Sequence, residues 1–180
     1  MKIYFYEGFT GKSSESRSLL LDALSDYSGK EFKDEDIYIK ASGKPYVKYD
    51  EIEFSVSHSK QLWMVAIGKN PVGADIQVFK KCNTESISKK LYSKNEIDYI
   101  NLWGDFGFFK LWSRREALVK SQEKSVFEKM PKLVDNENEL LDEIKISDKT
   151  YVIKDIEISD DIACSICTLE DEDFEIELMN

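Results

Sequence analysis

LWMVAIGKNPVGADIQVF, residues 62–79, holds two apolar runs of strand-forming residues around a turn. Leu62–Ile67 is one run and Val72–Phe79 is the other. Gly68-Lys69-Asn70-Pro71 between them predicts a turn, so the pair reads as a β-hairpin. On the second strand Val72, Ala74, Ile76 and Val78 share one face. Asp75 and Gln77 share the other, about 7 Å apart along the strand. A carboxylate beside an amide on an apolar strand needs a partner if it is buried. A hard cation such as Mg²⁺ suits these oxygens; taken alone, a half-exposed polar strand face is the simpler account.

Upstream, Lys2–Tyr6 alternates as a strand and Ser13–Tyr27 keeps helical spacing through Leu20, Ala23, Leu24 and Tyr27. Ser13 or Ser14 is expected to cap this helix and Gly29 to stop it. Ile37–Lys40 predicts a short strand, Ser42-Gly43-Lys44-Pro45 a turn, and Phe54–Ser57 an extended segment. Downstream, helices are expected over Thr84–Leu91, Ser93–Leu102 and Phe106–Gln122, the second opened by a Ser93/Glu96 capping box. Strands follow at Glu143–Ser147, Tyr151–Ile158 and Asp161–Leu169, and Phe174–Leu178 is a candidate for one more. The order β-α-β-β-β, then α-α-α-β-β-β, describes an α+β fold of two halves, residues 1–79 and 80–180, meeting near residue 80.

The 180 residues allow one domain or two small ones, and 42% hydrophobic content supports a packed core. No apolar run reaches the ~20 residues of a membrane span. The N-terminus lacks the apolar core and cleavage site of a signal peptide, so a cytoplasmic chain is expected. Cys82, Cys164 and Cys167 form no disulfide-dense pattern. The C-x-x-C at 164–167 lies in an alternating strand, so two small strand residues explain it better than zinc or redox chemistry.

The net charge of -10 is unevenly spread. Residues 1–79 carry net -2, residues 80–132 net +5, and residues 133–180 net -13. So acidic a chain is a poor general binder of nucleic acid. Its basic middle could still meet an acidic partner or a phosphate-bearing ligand.

Two other stretches could carry chemistry. In FFKLWSRREALVK, residues 108–120, Trp112, Glu116 and Lys120 stand one helical turn apart and share a face. Trp112 draws that face inward, although an ordinary Glu→Lys pair gives the same spacing. In Phe54–Ser59 the only histidine, His58, lies between Ser57 and Ser59 and could contact a phosphate as a donor, or simply stand on the surface. No G-x-S-x-G elbow, P-loop or G-x-G-x-x-G is present.

Taken in order, Ser57-His58-Ser59, Gly73-Ala74-Asp75-Ile76-Gln77 and Trp112–Lys120 resemble the signatures of the 4′-phosphopantetheinyl transferases of the Sfp type: S-H-S, G-x-D-x-E and W-x-x-K-E-x-x-x-K. Met1–Tyr4, Arg17–Leu20, Gly43–Tyr46 and Ile162–Leu169 are similar as well, so the resemblance covers most of the chain. It implies two similar α+β halves about a pseudo-twofold axis, in a monomer with the active site in the cleft between them. It also implies Mg²⁺-dependent transfer of phosphopantetheine from coenzyme A to a serine of a small, acidic acyl or peptidyl carrier, with release of 3′,5′-ADP.

By that resemblance Asp75, Glu116 and Gln77 hold Mg²⁺, Glu116 or a nearby water takes the serine proton, and Lys120 contacts the pyrophosphate. Ser57 and His58 contact phosphates of coenzyme A, and Arg17 and Lys44 line the nucleotide end. The sequence departs from the family in two places. Gln77 stands where the family has a second acidic residue, and only Lys12 remains of the basic stretch before the first helix. These departures motivate an alternative, a degenerate member that binds coenzyme A or a carrier without transfer. Arg115 replaces the motif's lysine and keeps its charge.

Overall fold

Ile3, Tyr4 and Phe5 are all buried, so the first strand, β1 (Lys2–Glu7), presents apolar side chains on both faces. A strand of this kind lies between two layers. The computed structural model describes residues 1–48 and 51–179 and shows what those layers are. Chain order continues α1 (Ser13–Ser28), β2 (Ile37–Ile39), β3 (Pro45–Val47), β4 (Glu53–Ser59), β5 (Leu62–Gly68), β6 (Val72–Val78), α2 (Thr84–Leu91) and α3 (Lys94–Ser121). It ends with β7 (Glu143–Ile146), β8 (Lys149–Asp155), β9 (Ile162–Thr168) and β10 (Glu175–Leu178).

One four-stranded sheet has the order β10-β1-β5-β4 and the other β6-β9-β8-β7; β2 and β3 pair separately. Among the described residues only the β1–β10 pair is parallel. Leu20, Ala23 and Leu24 of α1 pack on Tyr4, Trp63 and Val65 of the first sheet. The other face of that sheet, with Ile3, Phe5, Met64 and Ala66, meets Ala74, Ile76, Cys164 and Ile166 of the second. Leu111, Ala117 and Leu118 of α3 cover the far face of the second sheet at Ile153, Ala163 and Cys167. The layers therefore run helix, sheet, sheet, helix, and the fold is α+β. Cys164 and Cys167 face different cores and both are free, in keeping with their reading as strand residues.

The expected hairpin of residues 62–67 with 72–79 does not form. Both edges of β5 are taken, by β1 and β4, and β6 pairs with β9 across the other sheet. The turn between them carries the chain from one sheet to the next. The step from one sheet to the other falls between Gly68 and Val72, ahead of residue 80, and β10 returns to the first sheet. With that boundary the halves share a connectivity: β1-α1-β4-β5 and β6-α3-β8-β9 each place the last strand beside the first.

The sheets meet at their β4 and β6 edges through side chains. Ser55, Ser57 and Ser59 project from one face of β4. Their hydroxyls accept the backbone N–H groups of Ala74 (3.0 Å), Ile76 (3.3 Å) and Val78 (3.0 Å). The edge of β6 is thus satisfied without a neighbouring strand.

Two helix ends differ in detail from expectation. Lys12, with no side-chain bond, occupies the N-cap of α1, and Ser13 and Ser14 lie inside its first turn. Gly29 closes the helix in a left-handed conformation, as expected. The two expected helices over 93–122 run on as α3, broken at Gly104, whose φ of 59° and ψ of -137° are not helical. Glu96 accepts the Ser93 N–H at 2.7 Å, one arm of the expected capping box.

Candidate active site

Gly73 decides how closely β6 and α3 approach. A Cβ there would stand 1.9 Å from the Ala117 carbonyl oxygen and 2.5 Å from the Ser121 nitrogen, so only glycine fits. The contact is fastened on either side. Ser113 Oγ donates to the Asp75 carbonyl at 3.0 Å, and Lys120 Nζ to the Ala74 carbonyl at 3.0 Å. This packing brings the polar face of β6 against the Trp112–Glu116–Lys120 face of α3.

Asp75 is 2% exposed. Its Oδ1 accepts from Ser57 Oγ at 2.8 Å and from Lys120 Nζ at 2.7 Å; its Oδ2 accepts from Gln77 Nε2 at 3.0 Å. Each carboxylate oxygen therefore has a donor, which makes the burial tolerable. Glu116 differs. It is half-buried and forms no hydrogen bond or ion pair with any described residue. Burial, reinforced by the Asp75 charge, pushes its carboxyl above the ordinary range, while Lys120 and Arg115 pull the other way. Arg115 is buried and holds the following loop, donating to the carbonyls of Val126 (2.9 Å) and Glu128 (2.7 Å).

Asp75, Gln77, Glu116 and Lys120 face a cleft of about 450 Å³. Phe108, Phe109 and Trp112 form one wall, Val56 and His58 belong to the other, and Lys80 and Cys82 stand at the lining. His58 is exposed, its ring 5.0 Å from that of Phe9. A smaller pocket of about 210 Å³ shares Val56 and Lys120 with the cleft and is lined by Lys44 and Lys124. Lys44 Nζ donates to the Val72 carbonyl at 3.1 Å and lies 3.6 Å from Glu53; burial lowers its pKa against the pull of Glu53 and Glu123.

No protein-family model matches the chain. Relatives do. A putative 4′-phosphopantetheinyl transferase of Haemophilus influenzae is 34% identical over 94 residues, 48% of this chain and 40% of that protein. The 4′-phosphopantetheinyl transferase gsp of Aneurinibacillus migulanus is 27% identical over 133 residues, 71% of this chain and 55% of the relative. The 4′-phosphopantetheinyl transferase Sfp of Bacillus subtilis is 32% identical over 92 residues, 47% and 39% respectively. The chain is similar to the 4′-phosphopantetheinyl transferases. It spans about half the length of the curated relatives it matches.

Of the residues singled out by likeness to these transferases, Ser57, His58, Asp75, Gln77, Glu116 and Lys120 line the one cleft, and Lys44 lines the pocket beside it. Arg17 lines neither; it stands on α1 in an ion pair with Asp34 at 2.6 Å. Ser57 directs its hydroxyl hydrogen at Asp75 and receives Lys120 Nζ at 3.3 Å, so its bonds lie within the transferase-like constellation. Sequence reasoning gave no role to Ser55 or to Ser59, whose signal is their alternation with Ser57 on one strand face. It also passed over Lys80, whose only signal is its place just after the strand of Asp75.

Proposed function

We propose that the chain transfers the 4′-phosphopantetheine group of coenzyme A to a serine hydroxyl of an apo acyl or peptidyl carrier protein, releasing 3′,5′-ADP in a Mg²⁺-dependent reaction. One observation carries the reading: two carboxylates, Asp75 and Glu116, and the Lys120 ammonium converge on one cleft, in a relative of named transferases.

The donor set fits the ion. Mg²⁺ is commonly held by one or two carboxylates together with substrate phosphates. Asp75 already faces a cation, the Lys120 ammonium, and Glu116 holds a carboxylate without a protein partner. Asp75 and Glu116 would hold Mg²⁺, with the Gln77 carbonyl oxygen beside them. When bound, the ion would neutralise pyrophosphate charge.

The chain's own groups account for the rest. The carrier serine oxygen forms a bond to the phosphorus nearest the pantetheine, and the bond from that phosphorus to the 3′,5′-ADP oxygen breaks. Glu116 takes the serine proton. Lys120 turns from Asp75 to the pyrophosphate and stabilises charge on the departing ADP. His58 and Ser57 bind phosphates at the cleft wall, and Lys44, with Arg17 farther off, serves the nucleotide end.

The test is a mass measurement. Apo-acyl and apo-peptidyl carriers are incubated with the chain, coenzyme A and Mg²⁺. A mass gain of one phosphopantetheine, dependent on Mg²⁺, is expected. Coenzyme A binding without any carrier modification would favour the degenerate binder instead.

A further inference from the structure

Asp155, Ser165 and Asp75 stand opposite one another on the adjacent strands β8, β9 and β6, in one row across the second sheet. Residues directly opposite share a sheet face. Here it is the face that α3 covers, the face of Ile153, Ala163 and Cys167. One end of the row, Asp75, belongs to the cleft. The other end, Asp155, lies outside it and is held as firmly. Arg114 of α3 meets Asp155 as a fork: Nε donates to Oδ1 at 3.1 Å and to Oδ2 at 3.0 Å, and Nη2 donates to Oδ2 at 2.7 Å. Lys110, one turn earlier on α3, lies 3.2 Å from the same carboxylate, and Ser165 Oγ donates to it at 2.8 Å. Arg114 also donates to the Leu141 carbonyl at 3.2 Å and to Asp142 at 2.8 Å. Arg114 is 4% exposed, so the fork is a buried, directional contact and not a surface ion pair.

The helix is therefore held on two sides. Toward β6, Ser113 and Lys120 bond the carbonyls of Asp75 and Ala74; toward β8, Arg114 and Lys110 bond Asp155. Together these contacts fix the rotation of α3 about its own axis. That rotation decides where Glu116 stands. Glu116 forms no hydrogen bond or ion pair with any described residue, so its place in the cleft comes from the helix alone. Side chains reach about 5–6 Å from a helix axis, so a roll of about 10° moves a side-chain tip by about 1 Å. A misplacement of about 1 Å in a reacting group costs on the order of 10² in rate.

We propose that Arg114 and Asp155 are positioning residues for the reaction: their ion pair sets the roll of α3 and with it the place of the Glu116 carboxylate relative to Asp75. The proposal rests on the transfer reading above and adds a control on its rate from outside the cleft. Neither residue lines the cleft, so their loss acts on turnover and leaves the affinities for coenzyme A and carrier in place.

Removing one partner would strand a buried charge, so the test removes both. Arg114→Met/Asp155→Asn keeps the two shapes and leaves Ser165 an acceptor, and replacing both members of a buried ion pair is often close to neutral for stability. Transfer to apo-acyl and apo-peptidyl carriers is measured with Mg²⁺ against the concentrations of coenzyme A and carrier, and urea unfolding is followed on the same proteins. In the double variant kcat is expected to fall about 10–100-fold, with both KM values within about twofold of wild type and the unfolding midpoint retained. Arg114→Lys keeps the charge without the fork and should lie between the two. A folded double variant with kcat within about twofold of wild type overturns the proposal and leaves the transfer reading intact; the pair then serves the fold alone. If the double variant does not fold, Arg114→Lys decides: an unchanged kcat overturns the positioning role, and a kcat severalfold lower at unchanged KM supports it. If the wild type binds coenzyme A but modifies neither carrier, the transfer reading falls and the positioning role with it.

Discussion

Gln77 holds an intermediate position between the two carboxylates' roles. Its amide nitrogen donates to Asp75 at 3.0 Å, so it now neutralises part of that charge rather than adding to it. Gln77→Glu would reverse the sign. Without metal, the new carboxylate repels Asp75 and Glu116 and should lower the melting temperature; with Mg²⁺ present, the half-saturating concentration for transfer should fall. A Mg²⁺ titration that leaves the midpoint unchanged would place residue 77 outside the metal's ligands. Glu116→Gln keeps the shape and removes the proton acceptor. Transfer should drop by about 10²–10⁴ with the fold retained, as single-turnover assays and circular dichroism would register. Lys44 gives the pH test. Its folded pKa lies below the ordinary 10.5 because burial disfavours the ammonium. Between the two values the unfolded chain binds more protons than the folded one, so this group makes stability rise with pH across that window. Melting curves of wild type and Lys44→Met from pH 7 to 11 should therefore show the wild type gaining on the variant toward high pH. A constant difference would mean that Lys44 is not held charged at a cost.

Between β4 and β6 the ladder consists of hydroxyls, and Ser55, unlike Ser57, lies outside the large cleft. Ser55→Ala leaves the Ala74 N–H buried without its acceptor and should cost about 1–3 kcal/mol in urea unfolding. A loss near zero would show that water replaces the hydroxyl. This joint also explains what was and was not legible in the sequence. Individual elements were, because their signals are local: the run of strand-forming residues in Lys2–Tyr6, Gly29 after α1, the break between Leu102 and Phe106. The cleft residues were too, because Asp75 and Gln77 share a strand face and Glu116 and Lys120 a helix face. The pairing of β6 was not. The turn Gly68-Lys69-Asn70-Pro71 suits a hairpin and a crossing between sheets alike. Nothing local to Val72–Val78 names β9, some ninety residues on, as its neighbour. Nor does the short match at Arg17 say anything of Asp34, which pairs with it.

At the scale of the whole molecule, the two sheets pack face to face, and their β4 and β6 edges meet along a seam that also carries the candidate chemistry. Ser57 accepts the Ile76 N–H, donates to Asp75 and receives Lys120, so one side chain belongs both to the joint and to the site. The serine ladder therefore makes this joint observable in solution. Along β6 successive N–H groups point in opposite directions. Those of Ala74, Ile76 and Val78 end on hydroxyls of the other half, while the alternation turns those of Gly73, Asp75 and Gln77 toward β9. If the halves part briefly while each sheet stays whole, deuterium from solvent should enter at 74, 76 and 78 well before it enters at 73, 75 and 77. Equal uptake at all six would mean that the joint opens only when β6 itself comes apart. Alternating uptake would mean that the protein breathes along the seam that orients Asp75, and that a ligand filling the cleft should slow exchange at every second amide.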